Sequence, residues 1–579
     1  MEPLLKNRTS ILLLSFVVLA VYYPTIFAPL NSVDDPGMYH YLLNMDQVSF
    51  RELFFPGGNG TYYRPLLAAS FFVDKYVWGL HESFMHLTSI FLHLCNTLLV
   101  FAIARRVNAL LGSTSPVPSF LAAMFFAVHP INTEAVVWIS ARTDLLACLF
   151  VLMSTWLTVG RSQSTIASVL AAGSFFCACL AKETAVFFLP AAIIFPFFVS
   201  TLESEREPWR STLLKNWPHI FVFITAGVGY FLMRDLAFSR GDSGVARVVS
   251  HVAGEQTAGL VTNCMLILKA AGFYLKKLFI PFPLNFGINH VSDLYIILGM
   301  LVGCIVVLLL IRRTLPGYFF FCAISVATSA LMVPLLRITW TPLAERYMYI
   351  PAAFFLIGLM SFGYPRLKKF RYQKIMVGVI AILAAISIYG STSRAMLWQD
   401  NSALFQDTIR KSPDFLPAQN QYAHALYVSG RQDEAAAILN SLRVPDTLIN
   451  FQFGMVSKAV ARIHSGDYAG AREILRETLK QPGKHEVMII QRLLKLNEVE
   501  VKQTGLPRGA FYGEDVVLLT RLYEITSDPY VLYRLGRTHM FNNNSDKARD
   551  AFQRVVAQTT EKVYYHAPSK KLWLKLSER

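Results

Sequence analysis

The chain has 579 residues, of which 54% are hydrophobic, 13% aromatic and only 16% charged, a composition that excludes an ordinary soluble protein of this length. A formal net charge of +16 does not mark a nucleic-acid binder, because many lysines and arginines fall in short connections between apolar runs, where membrane topology accounts for them. The long apolar runs stop near Gly390 and the rest is polar and mixed, so a membrane part, residues 1–392, and a water-soluble part, residues 393–579, are expected.

A membrane span needs roughly 20 apolar residues. In chain order the candidate runs are Ser10–Leu30, Phe84–Ala104, Val117–Val128, Ile139–Gly160, Ile166–Leu180, Thr184–Ser200, Trp217–Met233, Leu294–Ile311, Tyr318–Leu336, Tyr347–Phe362 and Ile375–Tyr389, about eleven spans. The first is long and no small-x-small site follows it, so it reads as a retained anchor rather than a signal peptide. Val117–Val128 and Ile166–Leu180 are short, which suits tilted, broken or re-entrant segments. Val261–Phe279 is amphipathic and is expected to lie along the membrane surface. The seven cysteines sit almost entirely in apolar runs. They offer no disulfide framework or zinc spacing, and Cys177 and Cys179 read as small buried hydrophobes.

If the spans alternate, Arg105, Arg106, Arg161, Arg312, Arg313, Arg366, Lys368, Lys369, Arg371 and Lys374 share one side, and the short loops opposite hold only Arg142, Lys182, Arg337 and Arg346. The first set marks the cytoplasmic face. An odd number of spans then puts the C-terminal part outside, together with the loop 31–83.

That outer face carries the candidate chemistry. Asp34 and Asp35 follow the first run directly. Such a pair can act as a general base or hold a divalent ion, but Asp35 before Pro36 is equally a helix cap, which spacing alone favours. Further on come Tyr62-Tyr-Arg64-Pro65, then His129 and Glu134, Arg142 and Asp144, Lys182 and Glu183, and Glu345-Arg346-Tyr347. Each ionisable group at a span end is either functional or an interhelical ion pair. Arg64 and Arg346 are the best suited to a phosphate, through the paired donors of a planar guanidinium. His86 and His93 share one helix face, which points to interhelical bonding rather than metal. No Walker-type phosphate loop occurs, and Gly57-Gly-Asn-Gly60 lacks the context of a dinucleotide site.

The polar third reads as helical pairs. Asn420 to Tyr427 followed by Gly430-Arg-Gln-Asp-Glu-Ala435 has the pattern of a tetratricopeptide repeat, and Gly466-Asp-Tyr-Ala-Gly-Ala471 repeats the turn 36 residues later, close to the period of roughly 34 residues of such arrays. Tyr530 to Gly536 with Asn543 to Ala548 makes a third copy, leaving room for one degenerate repeat between. Such α-solenoids hold partner proteins on a concave face, or serve only as a rigid cap.

The ordered series Asp34-Asp35, Tyr63-Arg64-Pro65, His86 to Asn96, His129-Pro130 with Thr133-Glu134, Arg142-Thr-Asp144, Lys182-Glu183, Pro283-Leu-Asn285, Ala344 to Pro351 and Trp398-Gln-Asp400 resembles the transmembrane and tetratricopeptide-repeat-containing O-mannosyltransferase family, within the GT-C glycosyltransferases. The resemblance implies an all-α protein: a polytopic GT-C-like helical bundle followed by a repeat solenoid. It implies a sugar taken from a polyprenyl-phosphate carrier and moved to Ser or Thr hydroxyls of an extracytoplasmic protein, which the repeats present. It makes Asp34 the catalytic base with Asp35 in support, and puts Arg64 and Arg346 at the donor phosphate. His129, Glu134, Arg142, Asp144, Lys182 and Glu183 are further candidates, and Mg or Mn at Asp34 and Asp35 is left open. The short array points to a prokaryotic member whose site and repeats face outward from the inner membrane, or to the lumenal side of the endoplasmic reticulum if eukaryotic. An oligosaccharide ligase or polymerase using a lipid-linked glycan, a lipid-linked-sugar flippase and a non-enzymatic membrane-anchored scaffold are the alternatives.

Overall fold

The computed structural model describes residues 7–44, 50–56, 62–160, 164–199, 209–237, 260–289, 291–336, 341–367, 373–440, 455–456, 458–460, 462–463, 466–480, 486–507, 509–559, 561 and 565–578. All regular structure among them is helical, apart from an isolated antiparallel bridge between Ile288 and Leu343. The chain divides into two compact units, the first holding 1–47, 62–234 and 245–412, the second 48–61, 235–244 and 413–579. Helix Gln373–Leu397 runs through residue 392, where composition alone places a boundary.

Each of the eleven apolar runs is helical, but not all are long enough to span. Among the described residues eight helices have the length and apolarity to cross a membrane: Asn7–Phe27, Glu82–Leu110, Ile139–Thr158, Trp217–Ala237, Tyr295–Arg312, Leu315–Pro334, Glu345–Gly363 and Lys374–Leu397. A ninth is added if Val117–Val128 and Pro130–Val137, bent by 47°, count as one. The count of about eleven is thereby corrected to eight or nine. The remaining two, Thr165–Ala181 and Glu183–Val199, abut at the charged pair Lys182-Glu183, and 17 helical residues rise only about 25 Å against a hydrocarbon core of about 30 Å. The break at Pro130 has a similar origin: the ring removes a backbone donor, and the chain bends there.

The packing follows the solvent. Ala122, Ala123, Ala127, Ala178 and Ala181 are buried, and such small residues let helices approach closely. Leu12, Phe16, Leu19, Ile297, Met300, Val307 and Ile311 are exposed, a placement that costs little where the surroundings are lipid tails. The amphipathic stretch forms helix Leu260–Phe279. Rather than lying apart along a surface, it packs antiparallel on Tyr295–Arg312. A Cβ added at Gly272 would fall on the Tyr295 carbonyl oxygen, and one at Gly299 on that of Leu268. Gly299→Val is therefore expected to force this pair apart, read as a lower melting temperature and lower membrane abundance of the full chain; an unchanged melt would contradict the close crossing.

The second unit consists of paired helices: Leu416–Val428 with Gln432–Asn440, pieces through 455–463 with Tyr468–Leu479, Glu486–Thr504 with Tyr512–Thr526, and Pro529–Phe541 with Ser545–Gln558, followed by His566–Ser577. The third pair is the degenerate repeat for which the spacing left room. Gly430 and Gly466 take the positive φ of their turns, 82° and 78°, and Asn543 does so at 56° in the last pair, as a short polar side chain tolerates. Leu475, Ile489, Ile490, Leu493 and Leu519 form the interior.

Candidate active site

The first span ends in a polar turn. The Asn31 side chain accepts from the Val33 N–H at 3.1 Å, and the Asn31 N–H donates to Asp35 Oδ2 at 2.8 Å. Helix Asp35–Asn44 begins there, leaving Asp34 at the apex. Asp35 is 1% exposed; its Oδ1 accepts the Ser140 N–H at 3.0 Å and the Ser140 hydroxyl. The cap suggested by spacing is thus not its role: it fastens the first outer turn to the segment ahead of Arg142–Thr158. Burial pushes the Asp35 carboxyl up to about 6, against the hydrogen bonds from Ser140 and Asn31 and with the charge of Asp34 adding to the rise. Asp34 itself is exposed, and among the described residues its carboxylate accepts no hydrogen bond. Crowding by surrounding protein raises its pKa, while the charges of Arg346 and Arg64 oppose the rise.

Two arginines act electrostatically on this carboxylate, and a lysine joins their cluster, each of the three cations backed by an acid. Arg64 precedes helix Pro65–Trp78 and grips Glu183 with two donors, Nε to Oε2 at 2.8 Å and Nη2 to Oε1 at 2.5 Å; the Tyr62 ring lies 4.4 Å beneath its guanidinium. Arg346 pairs with Glu134 through Nη1 and through its own backbone N–H at 3.2 Å, and it lies 4.9 Å from the rings of both Trp138 and Tyr347. Lys182 meets Asp144 at 2.6 Å and faces Tyr347 at 5.7 Å. Asp144 acts electrostatically on both arginines, which ties the three pairs into one cluster. Segments far apart in sequence, 34–35, 62–64, 134–144, 182–183 and 345–347, are thereby brought together.

Two sequence candidates stand apart in role. Arg142 is fully buried, paired with Asp74 at 2.6 Å and donating to the Met85 carbonyl at 2.8 Å, so it ties helices together. His129 spends both ring nitrogens, one on the Leu278 carbonyl at 3.1 Å and one accepting from the Ile131 N–H at 3.3 Å. His86 and His93 bond across helices, to the Ala28 carbonyl at 3.0 Å and the Tyr349 hydroxyl at 2.6 Å. Asp74 escaped the sequence reading although an acid inside the apolar stretch Pro65–Trp78 was a signal; Lys277, paired with Glu345 at 2.7 Å, escaped because lysines on an amphipathic helix look like its polar face. Removing one partner of a buried pair strands the other. Arg142→Ala is expected to cost about 3–5 kcal/mol, whereas Arg142→Met with Asp74→Leu should melt nearer to wild type in a thermal unfolding series.

No group of three or more His, Cys, Asp or Glu side chains among the described residues gathers as a metal site. Both oxygens of Asp35 accept hydrogen bonds, which leaves the Asp34 carboxylate the freer of the two.

A tetratricopeptide-repeat family model matches residues 530–558. The human Protein O-mannosyl-transferase TMTC1 is 33% identical over 159 residues, covering 25% of this chain and 17% of that protein. The human Protein O-mannosyl-transferase TMTC4 is 23% identical over 423 residues, covering 65% of this chain and 56% of the relative; the chain thus spans little more than half of that protein and about a sixth of TMTC1. Among solved structures, that of ArnT from Cupriavidus metallidurans bound to undecaprenyl phosphate aligns with a TM-score of 0.37 at 15% identity, covering 83% of this chain and 82% of the other.

Proposed function

From its distant homology to the TMTC O-mannosyl-transferases, we propose that this chain is a multi-pass membrane glycosyltransferase that moves a hexose from a polyprenyl-phosphate carrier to Ser or Thr hydroxyls of an extracytoplasmic protein, with inversion. The observation that carries the reading is Asp34: an exposed carboxylate without a hydrogen-bond partner among the described residues, within electrostatic range of two arginines that are each held by a glutamate. Asp34 takes the proton of the attacking hydroxyl as its oxygen bonds the anomeric carbon. The bond from that carbon to the phosphate oxygen breaks, and the electron pair leaves with the polyprenyl phosphate. Charge is conserved across the cluster: Asp34 loses a negative charge as the phosphate gains one. Arg64, Arg346 and Lys182, already oriented by Glu183, Glu134 and Asp144, meet that charge without reorganising.

The sidedness supports the same reading. Ion pairs join the segments after the third, fifth and ninth apolar runs, so Thr165–Ala181 ends at the face from which Ile139–Thr158 starts. Gln399 donates to the Pro24 carbonyl at 2.7 Å and Asn401 to that of Leu30 at 3.1 Å, so the last span ends where the first does. Arg105, Arg106, Arg312, Arg313 and Lys374 lie at the opposite ends of their helices, so the positive-inside rule supports a site that faces the exterior. Glycopeptide analysis of outer-face proteins from cells with and without the chain tests this. A hexose-sized modification present only with the chain is expected; identical glycopeptides in both would overturn the reading.

A further inference from the structure

Lys277 is buried in the first unit with a task that neither topology nor the proton transfer explains. Its side chain is 3% exposed, near the end of helix Leu260–Phe279. An ammonium has three N–H donors, and all three are used: on the Pro281 carbonyl at 2.9 Å, on the Pro283 carbonyl and on Glu345 Oε1 at 2.7 Å. The same Glu345 oxygen accepts the Asn285 N–H at 3.0 Å. Asn285 in turn donates to Ser412 Oγ and to the Gly287 carbonyl, at 2.9 and 2.8 Å. One point charge therefore gathers its own helix end, the 281–285 loop and the start of the span Glu345–Gly363.

We propose that Lys277 is a positioning residue for the phosphate end of the site, acting through Glu345 to fix Arg346; this rests on the phosphate reading above. Glu345 and Arg346 are adjacent in the single turn Glu345–Met348, and the Arg346 N–H is itself bonded to Glu134. Wherever Glu345 is held, the base of the Arg346 side chain is held too. Without the ammonium Glu345 keeps only the Asn285 N–H and the more distant charge of Arg394, and a buried carboxylate that has lost its ion-pair partner destabilises the segment that carries it. Arg346 then loses the register in which its guanidinium lies on Trp138 and Tyr347. A neutral side chain cannot bind the three acceptors, since each needs a donor.

The test is a double-mutant cycle on the full chain in nanodiscs, with undecaprenyl phosphate as the titrated probe and a thermal melt of each variant. Lys277→Met is expected to weaken binding about tenfold, to add nothing in the Arg346→Ala background and to add its full effect in the Arg64→Ala background. If Lys277→Met itself unfolds the chain, Lys277→Met with Glu345→Gln removes the stranded charge and should fold while keeping the weakened affinity. Equal losses in both arginine backgrounds, wild-type affinity of Lys277→Met beside a weakened Arg346→Ala, or full recovery in the Glu345→Gln double variant would overturn the positioning role. Unchanged affinity in Arg64→Ala and Arg346→Ala would instead remove the phosphate reading, and this proposal with it.

Discussion

Asp34→Asn is expected to lower sugar transfer about a thousandfold, the middle of the range for a positioned general base, with the protein folded and polyprenyl phosphate still bound. The fold should survive because no hydrogen bond among the described residues depends on this carboxylate, whereas Asp35 holds three donors. The same residue sets the pH response. Its carboxyl is raised by crowding, and only the ionised form accepts a proton. The rate therefore falls as pH drops through that elevated pKa and levels off above it, and the residual rate of Asp34→Asn should lack this limb. Asp35→Asn makes the contrast: an amide keeps one acceptor oxygen but puts donors opposite the Asn31 or Ser140 N–H, so it should lose thermal stability as well as rate.

Arg64→Ala should weaken polyprenyl-phosphate binding about a hundredfold, more than the loss of one charge-assisted contact, because it does two things. It removes a bidentate donor, and it leaves Glu183 facing an incoming phosphate with its partner gone. The second effect can be separated. Adding Glu183→Gln removes the unmasked negative charge and is expected to recover roughly tenfold of the loss. A single variant as weak as the double would mean that the pairing has no electrostatic part in binding. Arg64→Lys should recover only in part, since a point charge cannot form the two-pronged contact with Glu183.

Much of this was legible in the sequence. Apolar runs of full length became helices near their expected ends, because in a membrane the solvent enforces helix wherever side chains are apolar. What composition misjudged was crossing length: the helices that meet at Lys182-Glu183, Thr165–Ala181 and Glu183–Val199, are shorter than a span, and the chain bends after Val128. The charged cluster was legible as a set, since Asp34, Arg64, Glu134, Asp144, Lys182, Glu183 and Arg346 lie at the ends of alternate runs, and alternation puts those ends on one face. The pairings were not. No spacing rule links Arg64 to Glu183 across 119 positions or Arg346 to Glu134 across 212. For the same reason Arg142, which belongs to the same series of span ends, proved to be an interior tie to Asp74. Asp35 shows the limit of local rules, for its position before proline suited a cap while its real partner, Ser140, lies 105 residues away.

The most direct measurement of the central claim is product analysis with the reconstituted full chain. Undecaprenyl-phosphate hexoses labelled in the sugar are mixed with Ser/Thr-rich peptides, and both the labelled peptide and the released undecaprenyl phosphate are quantified. Equal amounts of the two products are expected, with inverted configuration at the anomeric carbon, and both should form about a thousandfold more slowly with Asp34→Asn. Retained configuration, or transfer by Asp34→Asn at the wild-type rate, would contradict the claim.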